Sequence, residues 1–246
     1  MDILSLLSVP NILTLINLFS GCMAVVFIFS FHIELMPYCV AVSLAADFFD
    51  GFAARFFKSA TDVGKQLDSL ADVVSFGLVP GLVLFQMLFQ SYSTGSEFYS
   101  NPKIYLYSSP AFLVTLFSAL RLAKFNVDTR QTEGFLGLAT PAATIFIIGM
   151  LLVLNNNSFG LGHLVFDKVV VYAVILVISA LMVSDIPMFA FKFKSFGWKG
   201  NEIVYLFIIL SLILMATLKF AAISLIVILY ILVSIVKQAI EQPGGK

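Results

Sequence analysis

The chain has 246 residues, of which 60% are hydrophobic and 11% charged, with 14 basic and 14 acidic side chains and a mean hydropathy of +1.03. An ordinary soluble domain carries about 25% charged residues, so this composition excludes a soluble globular domain, and with it a disordered, collagen-like or disulfide-stapled chain. A net charge of +0 and a pI near 6.7 supply no basic field for nucleic acid.

A spanning helix uses about 20 apolar residues. Eight apolar segments follow in chain order, at 8–31, 35–57, 63–92, 105–127, 139–155, 168–190, 202–219 and 220–238. The expected fold is therefore an all-α integral membrane protein with about eight transmembrane helices. Met1 to Val9 contain no Lys or Arg and no A-x-A site, so the first segment reads as a retained helix. The third is long, and its start should project from the membrane. The last two meet at Lys219 and Phe220 and predict a tight helical hairpin. Residues 191–246 then form that hairpin and a short tail, beside a core of 1–190. A transmembrane barrel is excluded by runs such as Tyr205 to Met215, which do not alternate. Cys22 and Cys39 lie in apolar stretches and are expected to be buried, small, hydrophobic thiols.

Basic residues set the orientation. With the N-terminus in the cytoplasm, Lys103, Lys168 and Lys219 fall outside. Arg55, Lys58, Lys65, Arg121, Lys124, Arg130, Lys192, Lys194, Lys199, Lys237 and Lys246 fall inside. Both termini are expected to be cytoplasmic.

Asp47-Phe-Phe-Asp50-Gly51-Phe-Ala-Ala54-Arg55 is followed by Gly64-Lys-Gln-Leu-Asp68-Ser-Leu-Ala-Asp72. Charges inside apolar helices are costly and mark function. At 100° per residue, Asp47, Asp50, Gly51, Ala54 and Arg55 share an arc of about 140°. Gly64, Asp68 and Asp72 recur every four residues and form one stripe. The linker is short, so the two helices are antiparallel neighbours and the carboxylate pairs can face each other. Four converging carboxylates need protons or cations, and hard divalent ions with oxygen ligands suit them. Two ions about 3.5–4 Å apart match the charge better than one. Gly51 and Gly64 leave room for a ligand, and Arg55 can meet a phosphate. Lys58 reads as an interfacial anchor, and Asp62 as a solvated residue in the first turn of the third helix.

The pattern D-x-x-D-G-x-x-A-R, eight residues, G-x-x-x-D-x-x-x-D resembles the signature of the CDP-alcohol phosphotransferases, with every position present. The resemblance implies six core transmembrane helices and a homodimer. It implies two divalent cations, magnesium or manganese, held by Asp47, Asp50, Asp68 and Asp72, with Asp72 also the base. Asp50, Gly51, Ala54, Arg55 and Gly64 match positions that hold the cytidine nucleotide and its diphosphate.

Three further stretches resemble the type II phosphatidylserine synthase branch of that family. The first is a stripe of Asn11, Thr14, Asn17 and Gly21 on the first helix. Asn11 and Thr14 join the nucleotide set on this reading; the same residues could simply cap and pack the helix. The second is Arg121-Leu-Ala-Lys124-Phe-Asn126, then Phe135-Leu-Gly137-Leu-Ala-Thr140-Pro141. The third is Leu181-Met-Val-Ser184. Lys124 stands where the branch has Arg, and Ala139 where it has Pro. Arg121, Lys124 and Asn126 form the candidate acceptor set. Arg121 could receive an amino-acid carboxylate or pair with the aspartates, and Lys124 could be an interfacial lysine. The implied reaction transfers a phosphatidyl group from CDP-diacylglycerol to L-serine and releases CMP, at a cytoplasm-facing site in a bacterial inner membrane. The competitors are the same chemistry with glycerol phosphate or an inositol as acceptor, and a metal or ion transporter. A transporter would place its carboxylates near mid-membrane and often carry inverted repeats. Here the cluster lies near one face, and the sequence shows no repeat. His32 and His163 fall in outer loops and take no role.

Overall fold

The computed structural model describes residues 7–59, 61–93, 101–128, 135–189, 197 and 201–241. Arg130, Lys192, Lys194, Lys199 and Lys246 lie outside these. Eight long helices are present among the described residues. They are α1 (Val9–Phe29), α2 (Met36–Phe56), α3 (Asp62–Tyr92), α4 (Pro102–Val127), α5 (Thr140–Asn156), α6 (Lys168–Val183), α7 (Glu202–Leu218) and α8 (Phe220–Glu241). A single helical turn, Gly162–Phe166, precedes α6.

Local chemistry sets the helix ends. Proline stands in the first turn of α1, α2, α4 and α5, where its missing N–H costs nothing. Asn101, Thr61 and Asp167 accept N-terminal backbone hydrogen bonds at α4, α3 and α6. At the end of α2, Lys58 has φ 50° and the Ser59 N–H returns to the Ala54 carbonyl at 3.1 Å, a left-handed C-terminal cap.

α1, α3, α4 and the stretch Phe220–Gln238 of α8 are long and apolar enough to cross a membrane. α2 matches them in length but carries Asp47, Asp50 and Arg55. α5, α6 and α7 have 17, 16 and 17 residues, about 25 Å at 1.5 Å per residue, the short end of what spans. α3 runs 31 residues, about 46 Å at that rise, so its polar start extends past a hydrocarbon core of about 30 Å.

α3 is the central helix. Its most apolar window is 72% buried, against 33%, 33% and 28% for the other three spans. α1 lies along α2 and also touches α3; α6 lies on α4, and α8 on α5. Side chains turned outward, such as Phe48, Phe49, Phe52 and Phe56 on α2, give the bundle an apolar outer surface.

Three expectations need correction. The sixth apolar segment does not stay helical to 190: α6 stops at Val183, and Pro187–Met188 forms a strand, β2. Pro187 lacks an N–H and disfavours helix at the residue before it. β2 pairs antiparallel with β1, Phe135–Leu136. The cysteines are not sealed in protein: Cys22 is exposed and Cys39 half-buried, because in a bilayer an apolar thiol can face lipid. The fourth segment begins earlier, at Pro102, and tightens to a 3-10 turn over Ser109–Phe112. The hairpin of α7 and α8 is present: Phe207 and Tyr230, similarly spaced from Lys219 on the two helices, have ring centroids 6.3 Å apart.

Candidate functional site

α1, α2 and the first half of α3 meet at one end of the bundle. The acidic face of α2 turns inward and its phenylalanines outward, so Asp50 and Ala53 are each 6% exposed. Asp47, Asp50 and Asp68 bring one carboxylate oxygen each to within 4.8 Å of one another. Oδ1 of Asp68 is buried without a hydrogen-bond partner. An orphaned carboxylate oxygen amid two more carboxylates is what a hard divalent cation requires, so the donor set fits the metal.

Asp72, one turn beyond Asp68, is outside that three-oxygen group. It is 6% exposed, and its Oδ1 accepts from Asn17 Nδ2 at 3.1 Å. It remains within electrostatic reach of Asp47 and Asp68. Thr14 Oγ1 meets Asp50 Oδ2 at 2.7 Å. The polar stripe of α1 is thus buried against the acidic helices, with Asn11, Thr14 and Asn17 all at most 5% exposed.

A cleft of about 350 Å³ opens beside these carboxylates. Asn11, Thr14, Asp50, Gly51, Ala54, Gly64 and Asp68 line it, together with Ser59, Thr61, Asp62 and Lys65. A Cβ on Gly51 would meet nothing within 4 Å, while one on Gly64 would come 3.0 Å from Asn11 Oδ1. Gly51 therefore keeps a cleft wall shallow, and Gly64 admits the Asn11 side chain. Arg55 is exposed at the end of α2 and does not line the cleft. Ser59 and Thr61 in the turn and Lys65 at the start of α3 are absent from the expected set. Only the Thr61 cap, two residues before Val63, left a sequence signal.

The chain after Asp72 is π-helical over Val73–Leu78. π segments recur at functional sites. Pro80 has no N–H to give the carbonyl of Phe76 four residues back. That carbonyl instead accepts from Thr144 Oγ1 at 3.2 Å and Ser118 Oγ at 3.4 Å, and the carbonyl of Gly77 accepts from Thr115 Oγ1 at 2.9 Å. Hydroxyls of α4 and α5 thereby hold the segment that directly follows Asp72.

The candidate acceptor residues separate. Arg121 on α4 is 7% exposed, with Nε unpartnered and its guanidinium 5.3 Å from the Phe125 ring centroid. Its electrostatic neighbours are Asp72, Tyr230 and Asp47. No ion pair within 4.0 Å joins it to a carboxylate among the described residues. Lys124 instead binds Asp185 Oδ1 at 2.9 Å and the Val183 carbonyl at 3.2 Å, tying α4 to the end of α6. Asn126 donates to Ser69 Oγ at 2.8 Å, and its backbone carbonyl accepts from Lys65 Nζ at 2.9 Å, latching α4 to α3.

The stretches around Phe135 and Leu181 touch. Gly137 has φ +73°, and a Cβ there would lie 2.5–3.0 Å from the carbonyl oxygens of Met182, Ser184 and Leu181. The Gly137 N–H reaches the Ile186 carbonyl and the Leu138 N–H the Leu181 carbonyl, each at 2.9 Å. The two form one cover over the end of α6.

Residues 7–184 match the family model of the CDP-alcohol phosphatidyltransferases. The chain is 29% identical over 230 residues to a CDP-diacylglycerol–serine O-phosphatidyltransferase of Helicobacter pylori, covering 93% of this chain and 90% of that protein. It is 28% identical over 166 residues to the protein of that name from Bacillus subtilis, covering 65% of this chain and 88% of the relative. An archaetidylserine synthase of Methanothermobacter thermautotrophicus is 30% identical over 189 residues, with 75% and 70% covered.

Proposed function

The chain belongs to the CDP-alcohol phosphatidyltransferase family, and from that premise we propose that it is a CDP-diacylglycerol–serine O-phosphatidyltransferase of phospholipid biosynthesis. The observation that carries the reading is the cleft lined by the Asp50, Gly51, Ala54, Gly64 and Asp68 positions of the motif, beside three clustered carboxylates. The names of its relatives point to serine as the acceptor.

In this reading the cleft takes the CDP headgroup while the acyl chains stay in lipid. Asn11, Thr14, Asp50, Gly51, Ala54 and Gly64 hold the nucleotide and diphosphate, and Arg55 meets a phosphate from the rim. Bound at Asp47, Asp50, Asp68 and Asp72, two divalent cations, magnesium or manganese, would neutralise the diphosphate and stabilise the leaving CMP. Asn17 orients Asp72 through Oδ1, leaving the other oxygen to take the serine hydroxyl proton. The serine oxygen bonds to the phosphatidyl phosphorus as the bond to CMP breaks. Arg121 offers its buried guanidinium to the serine carboxylate, while Lys124 and Asn126 brace the acceptor end of α4 from the contacts they already make. The protein works as a homodimer in a bacterial inner membrane with the site facing the cytoplasm, as the family resemblance and the lysine and arginine bias support.

The test is an assay of purified protein with CDP-diacylglycerol and serine, glycerol phosphate or inositol, following CMP. Release with serine is expected. Release only with another acceptor overturns the serine assignment while leaving the family chemistry intact.

A further inference from the structure

The matched family model ends at residue 184, yet α8 grips the core at two levels. Near its start Ser224 Oγ donates to the Phe146 carbonyl at 2.9 Å. Gly149 permits that approach, since a Cβ there would lie 2.3 Å from Ser224 Oγ. Farther along, Tyr230 and Ser234 stand four residues apart on one helix face. They hold both polar groups of one residue. Tyr230 Oη donates to the Phe189 carbonyl at 3.1 Å, and Ser234 Oγ accepts from the Phe189 N–H at 3.3 Å. Ser234 is 2% exposed, and its own hydroxyl donates to the Tyr230 carbonyl at 2.7 Å. The Phe189 ring packs on Tyr230 and Phe207 at centroid distances of 4.9 and 5.4 Å.

Phe189 directly follows β2, and β2 pairs with the β1 strand that leads through Gly137 into α5. The clasp therefore fixes the β1–β2 cover from outside. Tyr230 is also an electrostatic neighbour of Arg121, whose Nε has no partner.

We propose that Tyr230 and Ser234 are positioning residues of the acceptor pocket, clasping Phe189 so that the cover and Arg121 stay in register to receive the carboxylate of the acceptor. This rests on the serine reading above. It extends that reading to the C-terminal hairpin, beyond the matched family region.

The experiment uses the full chain in lipid nanodiscs, with separate titrations of serine and CDP-diacylglycerol. Tyr230→Phe keeps the ring and removes the donor, and Ser234→Ala removes the acceptor. Each should raise the serine KM about three- to tenfold, the effect of losing one buried hydrogen bond. The CDP-diacylglycerol KM and kcat should move less than twofold. Ser224→Ala, which loosens α8 elsewhere, should leave the serine KM within twofold even where it lowers the melting temperature. Equal rises in both KM values, or a Ser224→Ala variant that reproduces the serine effect, would reduce the clasp to general packing and overturn the proposal. If Tyr230→Phe does not fold, Ser234→Ala decides, and an unchanged serine KM there defeats it. Wild-type protein inactive with serine but active with another alcohol would instead defeat the acceptor assignment.

Discussion

Half-buried Asp68 and buried Arg121 each carry a buried polar atom without a partner, and each orphan has a different complement. The Asp68 carboxylate, with Oδ1 orphaned, clusters with those of Asp47 and Asp50, so its complement is a cation. Asp68→Asn should lower turnover by about 10²–10³-fold, the scale of losing a preorganised electrostatic group, while the protein still inserts. Chelation should abolish CMP release and a divalent cation restore it; full turnover in metal-free buffer would remove the cation from the mechanism. The complement of Arg121 is an anion. Arg121→Ala should weaken apparent serine affinity by about 10- to 150-fold, the equivalent of about 1.5–3 kcal/mol for a charge-assisted hydrogen bond. Arg121→Lys should recover part of this, because the charge returns without the planar fork. Paired titrations decide the matter: if both substrates weaken together, the guanidinium serves the aspartate cluster instead.

At the scale of elements, Gly137 carries the sharpest constraint. Its φ of +73° and three carbonyl oxygens within 3.0 Å of an added Cβ leave no room for a side chain. Gly137→Ala should cost about 1–3 kcal/mol from backbone strain alone, read as a lower midpoint in thermal unfolding; an unchanged midpoint would show that the cover contributes nothing to stability. This element also marks where sequence reasoning stopped. The eight helices were legible because apolar runs of spanning length have few alternatives. The aspartate motif was legible because charges in such runs need a reason. The β1–β2 pair was not, since two-residue strands leave no period to read, and the apolar run through Ile186 hid the break that Pro187 imposes. The partner of Lys124 was hidden for a related reason. Lys124 entered the acceptor set through the motif shared with the branch, whereas its partner Asp185 lies 61 residues away in sequence. The π turn after Asp72 was equally hidden. Its carbonyl partners, Thr115, Ser118 and Thr144, come from two other helices.

For the whole molecule, the arrangement of helices makes a single claim about sidedness. The cleft lies at the α2–α3 turn, with Lys58 exposed beside it and Lys65 on its wall. Lys219 marks the α7–α8 turn, which an eight-helix path puts on the opposite side. Basic residues near helix ends are retained on the cytoplasmic side, so the α2–α3 turn should face the cytoplasm. Because Cys22 is exposed and Cys39 half-buried, both must first be replaced to give a silent background. In that background, a cysteine at Lys58 should react with a membrane-impermeant maleimide only in inverted vesicles. One at Lys219 should react only in right-side-out vesicles. The reverse pattern would place the cleft outside, away from cytosolic nucleotide and serine. Labelling of both sites from one side would mean that one of the short helices, α5, α6 or α7, does not cross. Their 16–17 residues make them the spans on which the eight-helix topology depends.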